Sequence, residues 1–369
     1  MSGAEQQLGA IGTINNFLTM KKHNRQKLAT FFKMQYHQHV AFAIDTKSIE
    51  FLGSVNFGQR FTCDIPYKGD LLSKLVLQIN LPNLNPNAKT PEDMKYFWVD
   101  SIGHVIIDTV EIEIGGKLYD RQPGMWLDNW IELSQNEQKR LGYFEMIGKT
   151  GDGTYCTTEY EEYGKEMSLL VPLQFWFCRD LASALPLVGM QDDQIRIHVT
   201  FRRLCECNIS KDGGPPLSNT HDPVQASMLA DYVLLENKER HKYTRGWYLI
   251  DQLQYSGPIT VSRTQRSITI PLNFNHAIKE LVWCYQRNDV ITPNNQWFNF
   301  NNIIYTSDDK LSDTDTIESA QITFNGADRT GVLPAKYFRL WHPQIYHSRV
   351  PTKPLYVYSF AYRPEDAQP

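Results

Sequence analysis

Ile195-Arg-Ile-His-Val-Thr-Phe201 alternates apolar and polar side chains without a break. Successive residues of an extended chain point to opposite faces. Ile195, Ile197, Val199 and Phe201 therefore line one face, and Arg196, His198 and Thr200 the other. This is the pattern of a strand with one dry and one wet face. The same period recurs on the N-terminal side in Phe61, Cys63 and Ile65, in Leu75, Leu77, Ile79 and Leu81, and in Val110, Ile112 and Ile114 before Gly115-Gly116. On the C-terminal side it recurs in Ile268, Ile270, Leu272 and Phe274, and again in Tyr356, Tyr358 and Phe360. Turn clusters separate these runs: Asn83-Leu-Asn-Pro-Asn87, Lys149-Thr-Gly-Asp-Gly-Thr154 and Lys211-Asp-Gly-Gly-Pro-Pro216. Many short strands punctuated this way predict an all-β chain of sandwiches or jelly rolls.

Helical signal is scarce. Met125 to Leu133 follows Pro123-Gly124, with Met125, Trp126, Asn129, Trp130 and Leu133 spaced as one stripe. Ala226 to Tyr243 is a second candidate, but Asp231 to Glu236 alternates, so strand is expected for its first half. At 369 residues the chain can bury one large core or two ordinary ones. Aromatics make up 12% of residues, and they fit pleated, half-buried surfaces.

With 37 basic against 41 acidic residues the net charge is -4, and no global field draws the chain to nucleic acid. The local exception is Lys21-Lys-His-Asn-Arg-Gln-Lys27, with Lys33 beyond it. It is either a solvated basic turn or, through Lys21, Lys22, Arg25 and Lys27, an arm that meets anionic lipid or genome. The six cysteines form no Cys-x-x-Cys pair. Cys205 and Cys207 are expected on one side of a strand, as reduced thiols rather than a bridge. The N-terminus has no signal-peptide pattern, and the richest apolar run, Leu169 to Cys178, is interrupted by Pro172 and Gln174, so no transmembrane span is expected.

Catalytic, cofactor and metal sites are not expected. His37 and His39 alternate as two ligands on a strand would, but a third and fourth ligand are missing from the pattern. There is no Gly-x-Ser-x-Gly elbow, and Gly115-Gly116-Lys117 is too short to cradle a phosphate. Glu161-Glu162 and Asp192-Asp193 fall in polar loops. Trp297-Phe-Asn-Phe300 is a loop anchor or a contact for a sugar or a partner. Asn208-Ile-Ser210 is the sole glycosylation sequon and is expected to be unmodified.

Several stretches, in order, resemble one family. Leu28-Ala-Thr-Phe-Phe-Lys33 and His37-Gln-His-Val-Ala-Phe-Ala43 resemble its opening segment. Phe57 to Cys63 and Gly69 to Leu72 look like its first hairpin. Ile112-Glu-Ile-Gly-Gly-Lys-Leu-Tyr-Asp-Arg-Gln122, with Trp126 and Trp130 behind it, is similar to its most recognisable motif. Val171-Pro-Leu-Gln-Phe-Trp-Phe-Cys-Arg179 and Ala184 to Leu187 match its late first-domain strands. Asn273-Phe-Asn-His276, Lys279 to Leu281 and Tyr356 to Phe360 match its second domain. The family is the double jelly-roll major capsid proteins of nucleocytoplasmic large DNA viruses.

The resemblance implies two consecutive eight-stranded-type jelly rolls: an N-terminal arm over 1–27, a first jelly roll over 28–240 and a second over 241–369. A boundary near Glu239 to Arg245 is preferred to the Gly213 to Pro216 loop. The family usually continues beyond the final Gln-Pro. Tyr356 to Pro369 reads as a strand entering a turn with nothing after it to pair with, so the second jelly roll is expected to lack closing strands, in a truncated sequence or a compact member.

The implied function is a non-enzymatic subunit of an icosahedral viral capsid. Homotrimers of pseudo-hexagonal outline would tile the shell beside neighbouring capsomers and minor capsid and penton proteins. The implied setting is the virion, with synthesis and assembly in the host cytoplasm, an inner membrane met by the N-terminal arm, and no sequence-specific nucleic acid binding. Fold and assembly residues on this reading are Asp120, Arg121, Gln122, Trp126, Trp130, Phe175, Trp176, Phe177, Asn275, His276, Tyr356, Tyr358 and Phe360. Arg121 is either a loop organiser, a buried clamp or a subunit contact, and His276 is expected to be satisfied at a strand end. Other readings are a minor capsid or scaffold protein of the same fold, or a carbohydrate-binding β-sandwich.

Overall fold

The structure is a computed structural model that describes residues 3, 6, 41–149, 165–190, 192–219, 224–244, 248–262, 264–291, 295–301 and 315–367. The first half runs β1 (Phe42–Glu50), β2 (Arg60–Asp64), β3 (Leu71–Leu81), β4 (Tyr96–Trp98), α1 (Ile102–Val105), β5 (Ile107–Ile114), β6 (Lys117–Pro123), α2 (Gly124–Ser134) and α3 (Arg140–Ile147). It continues through β7 (Met167–Pro172), α4 (Trp176–Arg179), β8 (Ile195–Phe201), β9 (Asn208–Ser210), β10 (Gln225–Leu235) and α5 (Asn237–Tyr243). The second half holds β11 (Glu280–Cys284), α6 (Asn288–Ile291), β12 (Ser319–Ala320), β13 (Thr323–Phe324), β14 (Ala327–Asp328) and β15 (Leu333–Pro334). A π-helical turn, Tyr337–Trp341, then runs unbroken into α7 (His342–Tyr346), and β16 (Leu355–Ser359) follows.

Two four-stranded sheets, ordered β1-β10-β3-β7 and β2-β8-β5-β6, make the sandwich of the first half. The alternation dictates which faces meet. Leu75, Leu77 and Ile79 of one sheet and Ile197, Val199, Val110 and Ile112 of the other share a single buried cluster. Burial of that many aliphatic side chains, each about 1.5–3 kcal/mol, is the main force holding the sheets together.

Several expectations change here. The Phe57 to Leu72 stretch is no hairpin, because β2 pairs with β8 in one sheet and β3 with β10 and β7 in the other. Val171 to Arg179 leaves the sheet after Pro172 and turns into α4. Cys205 sits in a 3-10 turn, Leu204–Glu206, and Cys207 closes it as the following residue, rather than both lying along a strand, and both are free. The Glu239 to Tyr243 stretch is helix rather than a break. Lys242 pairs with Glu239 at 2.7 Å, and Arg240 reaches Asp70 at 2.7 Å. Ala226 to Tyr243 divides as expected into strand and then helix.

The largest departure is Ile268 to Phe274, which joins no sheet among the described residues, with Leu272 exposed. Alternation says which side chains share a face, but a strand also needs a neighbour for its backbone donors and acceptors. The strand at Tyr356 to Ser359, by contrast, has a partner. It pairs antiparallel with β11, from Leu281↔Tyr358 to Cys284↔Leu355. The described second-half sheets are all two-stranded.

One order of elements occurs twice. In the first half a β-hairpin (β5–β6) leads through Pro123 into a helix, and a later strand pairs antiparallel with β3. In the second half a short hairpin (β12–β15, tipped by β13–β14) leads through Pro334 into a helix, and β16 pairs antiparallel with β11. Both tips have two successive left-handed residues, Gly115-Gly116 and Asn325-Gly326, as a tight hairpin turn of this kind requires.

Candidate functional site

The β5–β6 hairpin aims its motif in two directions. A register irregularity at Ile112/Glu113 precedes Asp120, and Asp120 and Gln122 point inward while Arg121 points out. The Arg121 side chain is 62% exposed and pairs with Glu111 at 3.1 Å, which also takes Arg60 at 2.6 Å. Arg121 is thus no buried clamp, because alternation along β6 places it on the wet face. The organiser is Asp120. Its carboxylate accepts from Gln122 Nε2 at 2.7 Å and from the Leu253 backbone N–H at 3.1 Å, so it ties the start of the second half to the first sandwich. Burial pushes its carboxyl up to about 6 against those two hydrogen bonds and the charge of Arg179.

Helix α2 is the seam between the halves. It can start beside β5 only because residue 124 lacks a side chain: a Cβ there would lie 2.1 Å from the Ile107 carbonyl oxygen. Leu127 enters the first-half core, and Trp130 is buried under the Arg179 guanidinium, 4.0 Å from its ring. Trp126 stacks obliquely beside it, ring centroids 5.5 Å apart. Next to Trp130 along the helix, Leu133 packs on Leu355 and Val357, and Met125 Sδ lies 4.0 Å from Cys284 Sγ.

Between these apolar contacts lies a buried charge network. Lys353 donates to Asp128, and His104 Nδ1 is 3.3 Å from the other carboxylate oxygen. His104 Nε2 meets the Tyr143 hydroxyl at 3.0 Å. Glu132 takes Lys149 at 3.0 Å, Arg349 at 3.4 Å and the Thr352 hydroxyl at 3.0 Å. Burial pushes Asp128 and Glu132 up, yet Lys353 and Lys149 outweigh it and hold both below the usual carboxylate range. Burial holds His104 below its usual value despite Asp128, so it is neutral near pH 7, donates from Nδ1 and accepts at Nε2. Such a network fixes one docking geometry, since any other would strand a buried charge.

Sequence reasoning picked the stripe and missed these acids. The signal was present: Asp128 and Glu132 are four apart on a predicted helix, and Arg349 and Lys353 are also four apart. Of the other expected residues, Phe175, Trp176 and Phe177 are buried around α4, with Trp176 Nε1 donating to Tyr248 Oη at 3.1 Å. Tyr356 and Tyr358 are buried in the second-half core beside Phe338, with Phe360 half-buried against it. Asn275 is exposed and held by Gln254 through its backbone. His276 is exposed in a left-handed bend at φ 66°, not at a strand end. Lys21, Lys22, Arg25, Lys27, His37, His39, Glu161 and Glu162 lie outside the described residues.

The Trp297–Phe300 stretch is an anchor. Phe298 and Phe300 are buried, and Trp297 Nε1 donates to the Glu206 carbonyl at 2.8 Å beneath Arg202. The Asn208 amide is buried and donates to the Leu204 and Leu217 carbonyls at 2.7 and 2.9 Å, which leaves its nitrogen inaccessible to glycosylation. Among the described residues no group of three or more His, Cys, Asp or Glu could hold a metal ion, and no helix is long and apolar enough to cross a membrane.

Residues 30–236 match the family described as major capsid protein N-terminus, and residues 238–369 match large eukaryotic DNA virus major capsid protein. The chain belongs to the major capsid proteins of large eukaryotic DNA viruses. It is 31% identical over 395 residues to the major capsid protein of Pyramimonas orientalis virus, covering 100% of this chain and 88% of that protein. The corresponding protein of Phaeocystis pouchetii virus is 29% identical over 474 residues, covering 100% of this chain and 90% of that one.

Among solved structures, the PBCV-1 Vp54 crystal structure superposes with a TM-score of 0.74 at 26% identity, covering 92% of this chain and 83% of that one. The Faustovirus major capsid protein, at 11% identity, shares the fold with a TM-score of 0.70 over 99% of this chain and 91% of its own. This major capsid protein is an all-β double jelly roll and a structural subunit of an icosahedral viral capsid, located in the virion.

Proposed function

We propose that this capsid protein works as a closed homotrimer of pseudo-hexagonal outline whose copies tile the shell, with no catalytic role. The observation that carries the reading is the α2 seam. Lys353 and Arg349 of the second half meet Asp128 and Glu132 of the first, so two similar units form one firmly joined subunit. Three such subunits give six similar units around one axis, and closed point-group symmetry is the usual solution for soluble oligomers.

In this proposal the arm over 1–27 faces an inner membrane through Lys21, Lys22, Arg25 and Lys27. The jelly rolls occupy 28–240 and 241–369. Asp120, Gln122, Trp126, Trp130 and Phe175 to Phe177 set the first unit, while Asn275, His276, Tyr356, Tyr358 and Phe360 belong to the second, and Arg121 serves the outer face. Minor capsid and penton proteins meet the trimer rim, and assembly takes place in the host cytoplasm. Light scattering on the purified chain tests the oligomer. The 42.7 kDa subunit should give about 128 kDa, and a monomer that persists at high concentration would exclude the trimer.

A further inference from the structure

The two hairpin–helix units are related closely enough to be laid on each other residue by residue. Aligning Pro123 with Pro334 places Leu127 on Phe338, both fully buried, and Trp130 on Trp341. The returning strands align independently. Leu173 N–H donates to the Leu75 carbonyl at 2.9 Å, and Phe360 N–H donates to the Lys279 carbonyl at 2.8 Å. That match puts Ser168 and Leu170 where the second unit has Leu355 and Val357.

The surroundings of the two helices differ. In the first unit the outer face of α2 is covered: Leu133 lies on Leu355 and Val357, the outer face of the β11–β16 sheet. In the second unit the equivalent face is bare. Leu340, Trp341 and Ile345 are all exposed, Trp341 by 58% against 3% for Trp130. The π turn adds one residue to this helix, so Ile345 takes the place of Leu133. Three large apolar side chains on one face of a helix of this length make an unsatisfied surface.

We infer that this face is covered by a second copy of the same chain, docked head to tail, with Ile345 resting on the outer face of the copy's β3–β7 sheet at Ser168 and Leu170. The inference rests on the proposed trimer and names its contact. The occupant follows from the repeat, because the surface that covers α2 within a chain has its counterpart in β3–β7, which is half-exposed at Gln78 and Leu170. A second-unit helix can meet that counterpart only on another copy. The contact is heterologous, so each copy uses one surface of each kind and repetition closes a ring. Its sheet side, Gln78, Asn80, Ser168 and Leu170, is more polar than Val282, Cys284, Leu355 and Val357. The contact between copies is therefore weaker than the seam within a chain, as suits a subunit that must first fold alone.

Paired cysteines test this directly. The Ile345→Cys, Leu170→Cys double variant, oxidised mildly, should give disulfide-linked dimers and trimers on non-reducing gels. Neither single variant should do so, and the parent chain reports the background from the native thiols. Cross-linking by Ile345→Cys alone would mean a two-fold contact and overturn the proposal. In parallel, Leu340→Glu with Ile345→Glu should weaken self-association at least tenfold by light scattering, while Val332→Glu, exposed on the hairpin, should not. A parent trimer that neither cross-links nor responds to the glutamates would sink this surface and leave the trimer standing. A monomeric parent would remove both.

Discussion

The two hairpin–helix units begin alike and end in different company. Both hairpins turn through paired left-handed residues, both helices start behind a proline, and both send one large side chain, Leu127 or Phe338, into their own core. Helix α2 is then enclosed on its far side by the other half, with Asp128 and Glu132 neutralised by Lys353, Lys149 and Arg349. The second helix leaves that side bare. Local sequence builds the unit, and its neighbour decides whether a helix face becomes interior.

The largest effect should come from breaking the enclosure. Asp128→Asn leaves Lys353 buried without its counter-charge and should cost about 3–5 kcal/mol in urea unfolding. Adding Lys353→Met should recover part of that loss. A cost under about 1 kcal/mol, against the size expected of such a pair, would mean that the seam is solvated. The two tryptophans sharpen the contrast. Trp130→Ala should cost about 3–5 kcal/mol, whereas Trp341→Ala in dilute, unassembled chain should stay within about 0.5 kcal/mol. Equal losses would erase the distinction between covered and bare helices.

pH should separate the units by up to about 3 kcal/mol, the equivalent of raising His347 from 6.5 to about 9. In the second unit His347 sits between Glu280 and Glu365, each 3.1 Å away. Burial opposes its charge, but the two carboxylates raise it to about 9. Its folded value is raised above 6.5, so its contribution is complete below that pH and fades as pH rises through about 9. Glu365 is lowered despite burial by His347 and Ser348, so its contribution is present above its ordinary value of 4.5 and is lost on acidification. Thermal stability should therefore drop toward pH 10, and His347→Gln should flatten that limb. An unchanged alkaline limb in His347→Gln would refute the assignment.

The smallest effect concerns the turns. Asn325→Ala should cost about 1–2 kcal/mol through its left-handed backbone, and Gly116→Ala, with open space around its missing Cβ, about the same. A much larger loss for either, read from thermal melts, would show that the two turns are not equivalent.

Much of the first half was legible because its alternation meets a partner. Leu75 to Leu81, Val110 to Ile114 and Ile195 to Phe201 are strands with the expected faces buried. The helix over Met125 to Leu133 was legible for the same reason, a stripe of matching period. Ile268 to Phe274 carries as clear a pattern yet joins no sheet among the described residues, and the Phe57 to Leu72 hairpin dissolved because its arms serve opposite sheets. At the site, Trp126 and Trp130 were found, while Asp128 and Glu132 were not, since acids on a helix ordinarily face water.

By itself the sequence determined the strand periods, the turn chemistry of Gly115-Gly116 and the apolar stripe of α2, because side-chain direction along an element is a local consequence of backbone geometry. Only the tertiary structure decided that β2 and β3 part company, that Asp120 rather than Arg121 organises its motif, and that Lys149, Arg349 and Lys353 converge on the two acids of α2. Those outcomes depend on which surface arrives opposite, and burial and Coulomb energy act through space without regard to position in the chain.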